Sequence, residues 1–299
     1  MIQVCRAVVT GGSGFIGQAL LRQLQRQGIA LTAIDIHPCP VEGVPSLVAD
    51  VGEPGVLEPY LTSDTVVFHM AAHADVAGSV ANPRRDFENT FRPLFEVLES
   101  ARRAGARVLF PSTASVFDLD SPMPLAEAAS KRPSSPYGAA KLAGEAYCVA
   151  YHRAFGLDVR IARMFSVYGV GMKRFFIHDV VRKLQRDART LEILGDGQQV
   201  RDYLYVDDAV EGLLCIATSG LPGEDYNLAT GEPVVLGELA RKIATVFGCP
   251  DVRVAPTGQS FAGDTPRWYA DIRKIQAIGF TPTVPLETGL TRTVEWLTR

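Results

Sequence analysis

Tyr137 and Lys141 stand four residues apart in Tyr137-Gly138-Ala139-Ala140-Lys141. Side chains at that spacing share one face of a helix. A free phenol loses its proton at a pKa of roughly 10, too high for a base at neutral pH. A nearby ammonium favours phenolate and lowers that value. Such a pair can serve as general base and acid toward a hydroxyl or a carbonyl. The same spacing also arises where a solvated lysine lies beside a half-buried tyrosine, so the pair needs company. A hydroxyl is offered by Pro111-Ser112-Thr113-Ala114-Ser115-Val116, directly after the apolar run Val108-Leu109-Phe110. Ser112 or Thr113 can hydrogen-bond a reacting oxygen there, or can cap a turn.

A second chemistry lies in Thr10-Gly11-Gly12-Ser13-Gly14-Phe15-Ile16-Gly17. The apolar run Ala7-Val8-Val9 precedes it, and Gln18–Gln27 follows with Ala19, Leu20, Leu21 and Leu24 at helical spacing. Strand, glycine turn and helix form the order that a diphosphate site needs. Glycine adopts positive φ in a tight turn and keeps no side chain between backbone and ligand. The helix behind it offers unpaired N–H groups and the positive end of its dipole. A glycine triplet alone is weak evidence. The next apolar run, Leu31-Thr32-Ala33-Ile34, ends at Asp35, where a carboxylate would meet an adenosine ribose.

These residues need elements to position them. Ala7–Val9, Leu31–Ile34, Val66–His69, Val108–Phe110 and Val159–Arg163 read as strands. Helical spacing marks Gly14–Gln27, Phe87–Ala104 and Pro136–Phe155 between them. The alternation predicts an α/β fold, a doubly wound parallel sheet with helices on both faces. Val66-Val67-Phe68 is apolar without alternation, as in strands buried on both sides. Beyond residue 165 the rhythm loosens. Helices are expected over Ile177–Asp187, Val206–Thr218, Leu236–Phe247 and Thr288–Leu297, with short strands and Gly/Pro loops between. Residues 1–165 read as a cofactor domain, with excursions of the chain to the later part, and 166–299 as a smaller α/β substrate lobe. Ligands of open α/β sheets bind beyond the carboxyl ends of the strands, where the glycine turn, Asp35 and the segments after Phe68 and Phe110 all fall.

Composition narrows the partners. The chain has 299 residues, 47% hydrophobic and 21% charged, with a formal net charge of −3. That balance gives no support to nucleic-acid or membrane-surface binding. Five scattered cysteines, without a CxxC or Cys/His cluster, argue against a zinc site or a disulfide framework. No metal is expected. The start lacks the h-region of a signal peptide and no apolar run reaches spanning length, which reads as a cytoplasmic protein.

Eight motifs in order resemble the extended short-chain dehydrogenase/reductases, in particular the NAD-dependent sugar-nucleotide epimerase/dehydratase group. They are Gly11-x-x-Gly14-x-x-Gly17, Asp50-Val51, His69-Met70-Ala71-Ala72, Ser112-Thr113, Tyr137-x-x-x-Lys141, Arg163-x-x-Ser166-Val167-Tyr168-Gly169, Gly195-Asp196-Gly197-x-Gln199-x-Arg201-Asp202-Tyr203 and Ala270-Asp271. The resemblance spans nearly the whole chain and implies a Rossmann-type NAD domain. Gly11, Gly14 and Gly17 would line the pyrophosphate, with Phe15 and Ile16 in the same turn. Asp35 would hold the adenosine ribose, favouring NAD over NADP because a 2′-phosphate would meet its charge. Asp50 and Val51 would flank the adenine, and Ala71 and Ala72 would pass under the dinucleotide. Asn89 and Phe165 would also contact the cofactor. Lys141 would reach the nicotinamide ribose and tune Tyr137. Thr113 rather than Ser112 would face the substrate, with Ser166, Arg201 and Trp268 also on the substrate side. Arg201 would bind the sugar nucleotide's diphosphate, the bland alternative being a salt bridge to Asp202 or Asp207. A homodimer through the helices around Phe87–Ala104 and Pro136–Phe155 is implied as well.

Departures from the family pattern separate the subclasses. Ala114 and Ser115 stand where 4,6-dehydratases carry Asp-Glu and decarboxylases a Glu. What remains is the minimal triad of a 4-epimerase, with UDP-glucose/UDP-galactose as leading substrates. A nicotinamide-dependent keto-sugar reductase and a non-catalytic NAD-binding regulatory protein are the alternatives. Ser166 replaces a frequent Asn, Phe117-Asp118 a Tyr-Gly, and Arg92-Pro93 a Gly-Thr. Phe261 falls near the slot of a second phosphate-binding Arg, for which Arg267 is a substitute. Trp268 matches a site where a bulky ring disfavours a 2-acetamido group, or simply packs the small lobe.

Overall fold

A computed structural model describes residues 4–259 and 265–299. In chain order the elements are β1 (Arg6–Thr10), α1 (Phe15–Arg26), β2 (Ala30–Asp35), β3 (Ser46–Val48), β4 (Thr65–His69), α2 (Val76–Ala81), α3 (Pro83–Ala104), β5 (Arg107–Thr113), α4 (Pro136–Phe155) and β6 (Val159–Met164). They continue as β7 (Ser166–Tyr168), α5 (Phe175–Arg186), β8 (Thr190–Ile193), β9 (Val200–Arg201), β10 (Tyr203–Tyr205), α6 (Val206–Ser219), β11 (Asp225–Leu228), β12 (Val234–Val235), α7 (Leu236–Phe247), β13 (Arg253–Pro256), α8 (Arg273–Ala277) and α9 (Leu286–Thr298).

Seven parallel strands form the main sheet in the order β11-β6-β5-β4-β1-β2-β3. Successive residues of β1 feed opposite faces. Ala7 and Val9 pack with α1 and α6, whereas Val8 packs with α3 and α4. Both faces are therefore covered, and all five residues of β4 are buried. The order of strands reverses at β1 and β4, so a crevice opens beyond their carboxyl ends. A smaller core of α5, α7 and α9 lies beside the sheet, centred on Ile177, Val181, Leu239, Ile243 and Leu290.

The five expected strands and seven expected helices all form, with ends shifted by a few residues. The largest shift is in α3, which starts at Pro83. Asn82 caps it by accepting from the Arg85 N–H, and proline suits the first helical position. The sheet also takes an edge strand, β11, from beyond residue 165, and α6 from beyond 165 packs on α1. The main sheet thus needs the second half of the chain to be complete.

Behind the carboxyl end of β5 lies a buried ionic network. Arg163 on β6 donates to Glu145 on α4 at 2.9 and 2.7 Å and to the Glu127 carbonyl at 2.9 Å. It also pairs with Asp225 on β11. Ser112 donates to Glu145 at 2.5 Å. Glu145 and Arg163 are 5% and 3% exposed, so neither charge can turn to water if its partner is lost. Removing one partner of such a pair costs about 3–5 kcal/mol. Arg163→Leu should lower stability by about that much in urea denaturation. A loss below about 1 kcal/mol, the scale of an exposed pair, would show that this network does not join β5, β6 and α4.

Candidate active site

The turn between β1 and α1 brings backbone against backbone. Gly11 has φ +67°, and a Cβ there would lie 2.5 Å from the Ala71 nitrogen. A Cβ on Gly17 would lie 2.2 Å from the Gly11 carbonyl oxygen. No other residue fits either place without moving backbone. The first turn of α1 has no side-chain cap at Gly14 and no acidic residue. Its N–H groups are left for an anion, which is what a diphosphate site requires. Asp35 closes the turn from the side. Its Oδ2 accepts from the Ser13 N–H at 3.0 Å and its Oδ1 from the His37 N–H at 2.9 Å.

A cavity of about 860 Å³ extends from this turn over the ends of β4, β5 and β6 toward the smaller core. That is near the top of the range of ~300–1,000 Å³ for ligand sites. Gly11, Gly14, Phe15, Ile16, Gly17 and Ala72 line one end, Thr113, Tyr137, Lys141, Phe165 and Ser166 the middle, and Arg201 and Trp268 the far end. The residues expected to do chemistry, far apart in sequence, thus share one chamber.

Thr113 ends β5, while Tyr137 and Lys141 lie on the first turns of α4. Ser135 caps α4 by accepting from the Gly138 N–H, and Pro136 takes its first position. A Cβ on Gly138 would lie 2.4 Å from the Ser115 carbonyl oxygen. Glycine at that position lets α4 press onto the turn after Thr113, so that the Tyr137 phenol lies near the Thr113 hydroxyl in the cavity wall. Thr113 also caps that turn by accepting from the Ser115 N–H at 3.2 Å. Capping and cavity lining are therefore not exclusive. Ser112, its neighbour, is turned to Glu145 instead.

Burial dominates the Tyr137 phenol. It pushes Tyr137 up to about 12, and the Thr113 hydroxyl and the Arg174 charge pull against that rise. Lys141 is directed elsewhere, donating to the Pro111 carbonyl at 2.8 Å with its ammonium 4.7 Å from the centre of the Phe110 ring. Burial lowers Lys141 to about 8. Beneath it, burial holds His69 neutral by lowering it to about 3, and Thr10 is hydrogen-bonded to its Nδ1 at 2.8 Å.

Other expected residues lie outside the chamber. Val51 is buried in the core between the sheet and α3, and the Ala71 backbone abuts the glycine turn. Asp50 accepts from Arg92 at 2.6 Å. Asn89 is exposed, and its neighbours Asp86 and Thr90 take the inward face of α3. The phase of that helix is set by Leu94, Val97 and Leu98, which pack on the sheet and turn position 89 outward. Of the two carboxylates weighed as partners for Arg201, that of Asp202 accepts from Thr230, Gly231 and Ala270. Arg201 places its guanidinium 4.7 Å from the centre of the Trp268 ring. Trp268 packs against Val116, Phe117, Leu125, Phe165 and Ala270 and lines the cavity as well, its indole N–H buried and unpaired among the described residues. Phe261 lies outside the described residues, and Arg267 is exposed.

Sequence reasoning missed two stretches of the wall. One is Ala74–Ala77, entering α2. The other runs from Gly171 through Lys173, Arg174 and Phe175 into α5. Two cations between a glycine pair and a helix start, in Gly169-Val170-Gly171-Met172-Lys173-Arg174, were the available signal.

The side-chain-free cradle at Gly11 and Gly17, the open start of α1 and the carboxylate of Asp35 fit a dinucleotide such as NAD. Comparison with known proteins agrees. The model of the NAD dependent epimerase/dehydratase family matches residues 7–229. UDP-glucose 4-epimerase of Mycolicibacterium smegmatis is 30% identical over 97% of this chain and 98% of its own. UDP-glucuronic acid decarboxylase 1 of Danio rerio is 30% identical over 98% of this chain and 73% of its own. Among solved structures, MoeE5 in complex with UDP-glucuronic acid and NAD superposes with a TM-score of 0.90 at 31% identity, covering 98% of this chain and 99% of that one. On its fold, its nucleotide cradle and these matches, the chain belongs to the NAD-dependent epimerase/dehydratase family of the extended short-chain dehydrogenase/reductases.

Proposed function

We propose that this chain is a nucleoside-diphosphate-sugar 4-epimerase, with UDP-glucose and UDP-galactose as its leading pair. One observation carries the reading: Thr113, Tyr137 and Lys141 share a chamber whose next residues, Ala114 and Ser115, supply no carboxyl group. Removal of water or carbon dioxide from the sugar would need one there, by the family pattern. Reversible oxidation of a hydroxyl needs only the three.

In this reading Tyr137, as phenolate, takes the proton of the C4 hydroxyl, and Thr113 hydrogen-bonds the same oxygen. NAD, when bound, supplies the hydride acceptor and donor, and its positive ring adds to the field that favours phenolate. Lys141 swings from Pro111 to the nicotinamide ribose and supports the charge on Tyr137. Arg201, stacked on Trp268, holds the diphosphate so that only the sugar turns over at the 4-keto stage. Tyr137 then returns the proton to O4. Trp268 crowds a 2-acetamido group, which favours plain hexoses. The chain works as a homodimer: Phe87, Phe95, Tyr147 and Phe155 are exposed along α3 and α4, where Phe91 meets Tyr147 edge-on at 5.1 Å. Such an aromatic face suits a second copy.

A second substrate reading shares this chemistry. Arg174 makes no ion pair among the described residues and lines the cavity with Lys173, near enough to Tyr137 to act on its phenol. The acids in that wall are already engaged, Asp75 by the Gly78 N–H and Asp179 by Lys183. The surplus of positive charge beside the sugar favours a hexose carrying a carboxylate at C6, the kind of ligand named for MoeE5.

Purified protein incubated without added cofactor with a panel of nucleotide sugars should invert C4 of one of them by NMR. Conversion only on addition of NAD(P)H or NAD(P)⁺ would move the reading to a net oxidoreductase. If the hexuronate is the substrate, Arg174→Ala should lower kcat/KM for it at least tenfold more than for the neutral hexose. Equal losses would assign Arg174 to a diphosphate instead. Tyr137→Phe should abolish turnover with NAD retained, and substantial residual activity would remove Tyr137 as the base. The Lys141 ammonium is lost as pH rises through about 8, so kcat/KM should fall on the alkaline side near that value. A profile flat to about pH 10, where an ordinary lysine still holds its proton, would take that charge out of the mechanism.

A further inference from the structure

The guanidinium of Arg92, on α3, reaches across to the loop after β3 and meets three acceptors. It donates to Asp50 Oδ2 at 2.6 Å, to the Gly52 carbonyl at 2.6 Å and to Glu53 Oε1 at 2.9 Å. The other oxygen of Asp50 accepts from the Gly52 N–H at 2.8 Å. Both carboxylate oxygens are thus tied, and the plane of the Asp50 side chain is fixed. Gly52 leaves the room for this. A Cβ there would come within 2.7 Å of the Arg92 guanidinium carbon. Next in the helix, Pro93 has no N–H to offer the Asn89 carbonyl, so this turn of α3 is held less by its own ladder. The clamp ties that loosened turn to the loop. Single exposed ion pairs contribute little, whereas one guanidinium shared among three charge-assisted acceptors defines a geometry.

We infer that Arg92 is a positioning residue for the adenine end of the cofactor. It holds Asp50 so that the carboxylate's free lone pairs accept from the adenine 6-amino group. The inference rests on the reading that places Asp50 and Val51 beside that base. Each carboxylate oxygen has two acceptor sites, so Asp50 can keep its present partners and still take an amino proton. Without Arg92, Asp50 Oδ2 has no fixed partner, and the side chain must be ordered anew each time the base binds. That cost falls on recognition of the amino group and on nothing else in the dinucleotide.

The test compares NAD with nicotinamide hypoxanthine dinucleotide, which has an oxygen in place of the 6-amino group. Affinities are measured by calorimetry on protein freed of co-purified nucleotide. The wild type should prefer NAD about tenfold, on the scale of one charge-assisted hydrogen bond of ~1.5 kcal/mol. Arg92→Ala should weaken NAD and leave the hypoxanthine analogue within about twofold, closing the gap, and Arg92→Lys should restore part of it. If Arg92→Ala weakens both dinucleotides equally, or keeps the full preference, Arg92 is only a structural tie and the inference fails. If the wild type itself binds both alike, Asp50 does not read the amino group, and the underlying reading fails with it. The readout is a ratio of affinities, so a general loosening of the fold would not imitate the expected result.

Discussion

The site depends on main chain packed against main chain with no room for a Cβ. Gly17 lies against the Gly11 carbonyl, and Gly11 lies against the Ala71 nitrogen. These approaches draw the start of α1 down onto the ends of β1 and β4. They leave the first N–H groups of the helix open because neither a side chain nor an acid fills that space. The diphosphate cradle is therefore made by removing side chains. Its position fixes where the rest of a dinucleotide can lie, and hence which residues on β5 and α4 can reach its reactive end.

A second close approach sets the chemistry. Gly138 lets α4 dock on the Ser115 carbonyl, and two turns on, along the same face, the Glu145–Arg163 pair ties the helix to β6 while Ser112 ties it to β5. Tyr137 and Lys141 are thereby placed in a dry pocket at the end of β5, where both charged forms are disfavoured. That burial opposes the fold and leaves both groups open to nearby charge. A phenol and an ammonium that are hard to ionise in the empty chain respond strongly to charge brought in by ligands, since interactions are worth more in a low-dielectric site. His69 stays neutral beneath them and adds no positive charge there.

Most of the sheet and its covering helices could be read from periodicity, because β1, β4, β5 and β6 are buried on both faces and their helices carry long apolar stripes. The glycine turn and the Tyr-Lys pair were legible for the same reason: their spacing is local. What was hidden depends on contacts across the chain. Strand β11 has only four residues, Asp225-Tyr226-Asn227-Leu228, and joins the sheet by pairing with β6. The direction of Lys141 depends on a carbonyl at Pro111, thirty residues earlier. The phase of α3 was hidden as well, because the polar run at its start carries none of its own. Only the apolar residues further along fix which side faces the sheet.

The two ends of the cavity differ in how they are built, and that difference bears on specificity. The cofactor end consists of backbone at the ends of parallel strands, where few residues can change without altering the sheet. The other end is made by the loop before α5 and by side chains from beyond residue 165. Phe175 there has φ +73°, a conformation that costs a non-glycine residue on the order of 1–3 kcal/mol. Arg174 stacks on its ring with the guanidinium carbon 4.6 Å from the centroid. The strain is spent on an exposed residue facing the cavity, with no core packing to recover it. Held in that state, Phe175 and the Arg174 stacked on it form part of the cavity wall near the Tyr137 phenol, built from loop rather than from strand ends.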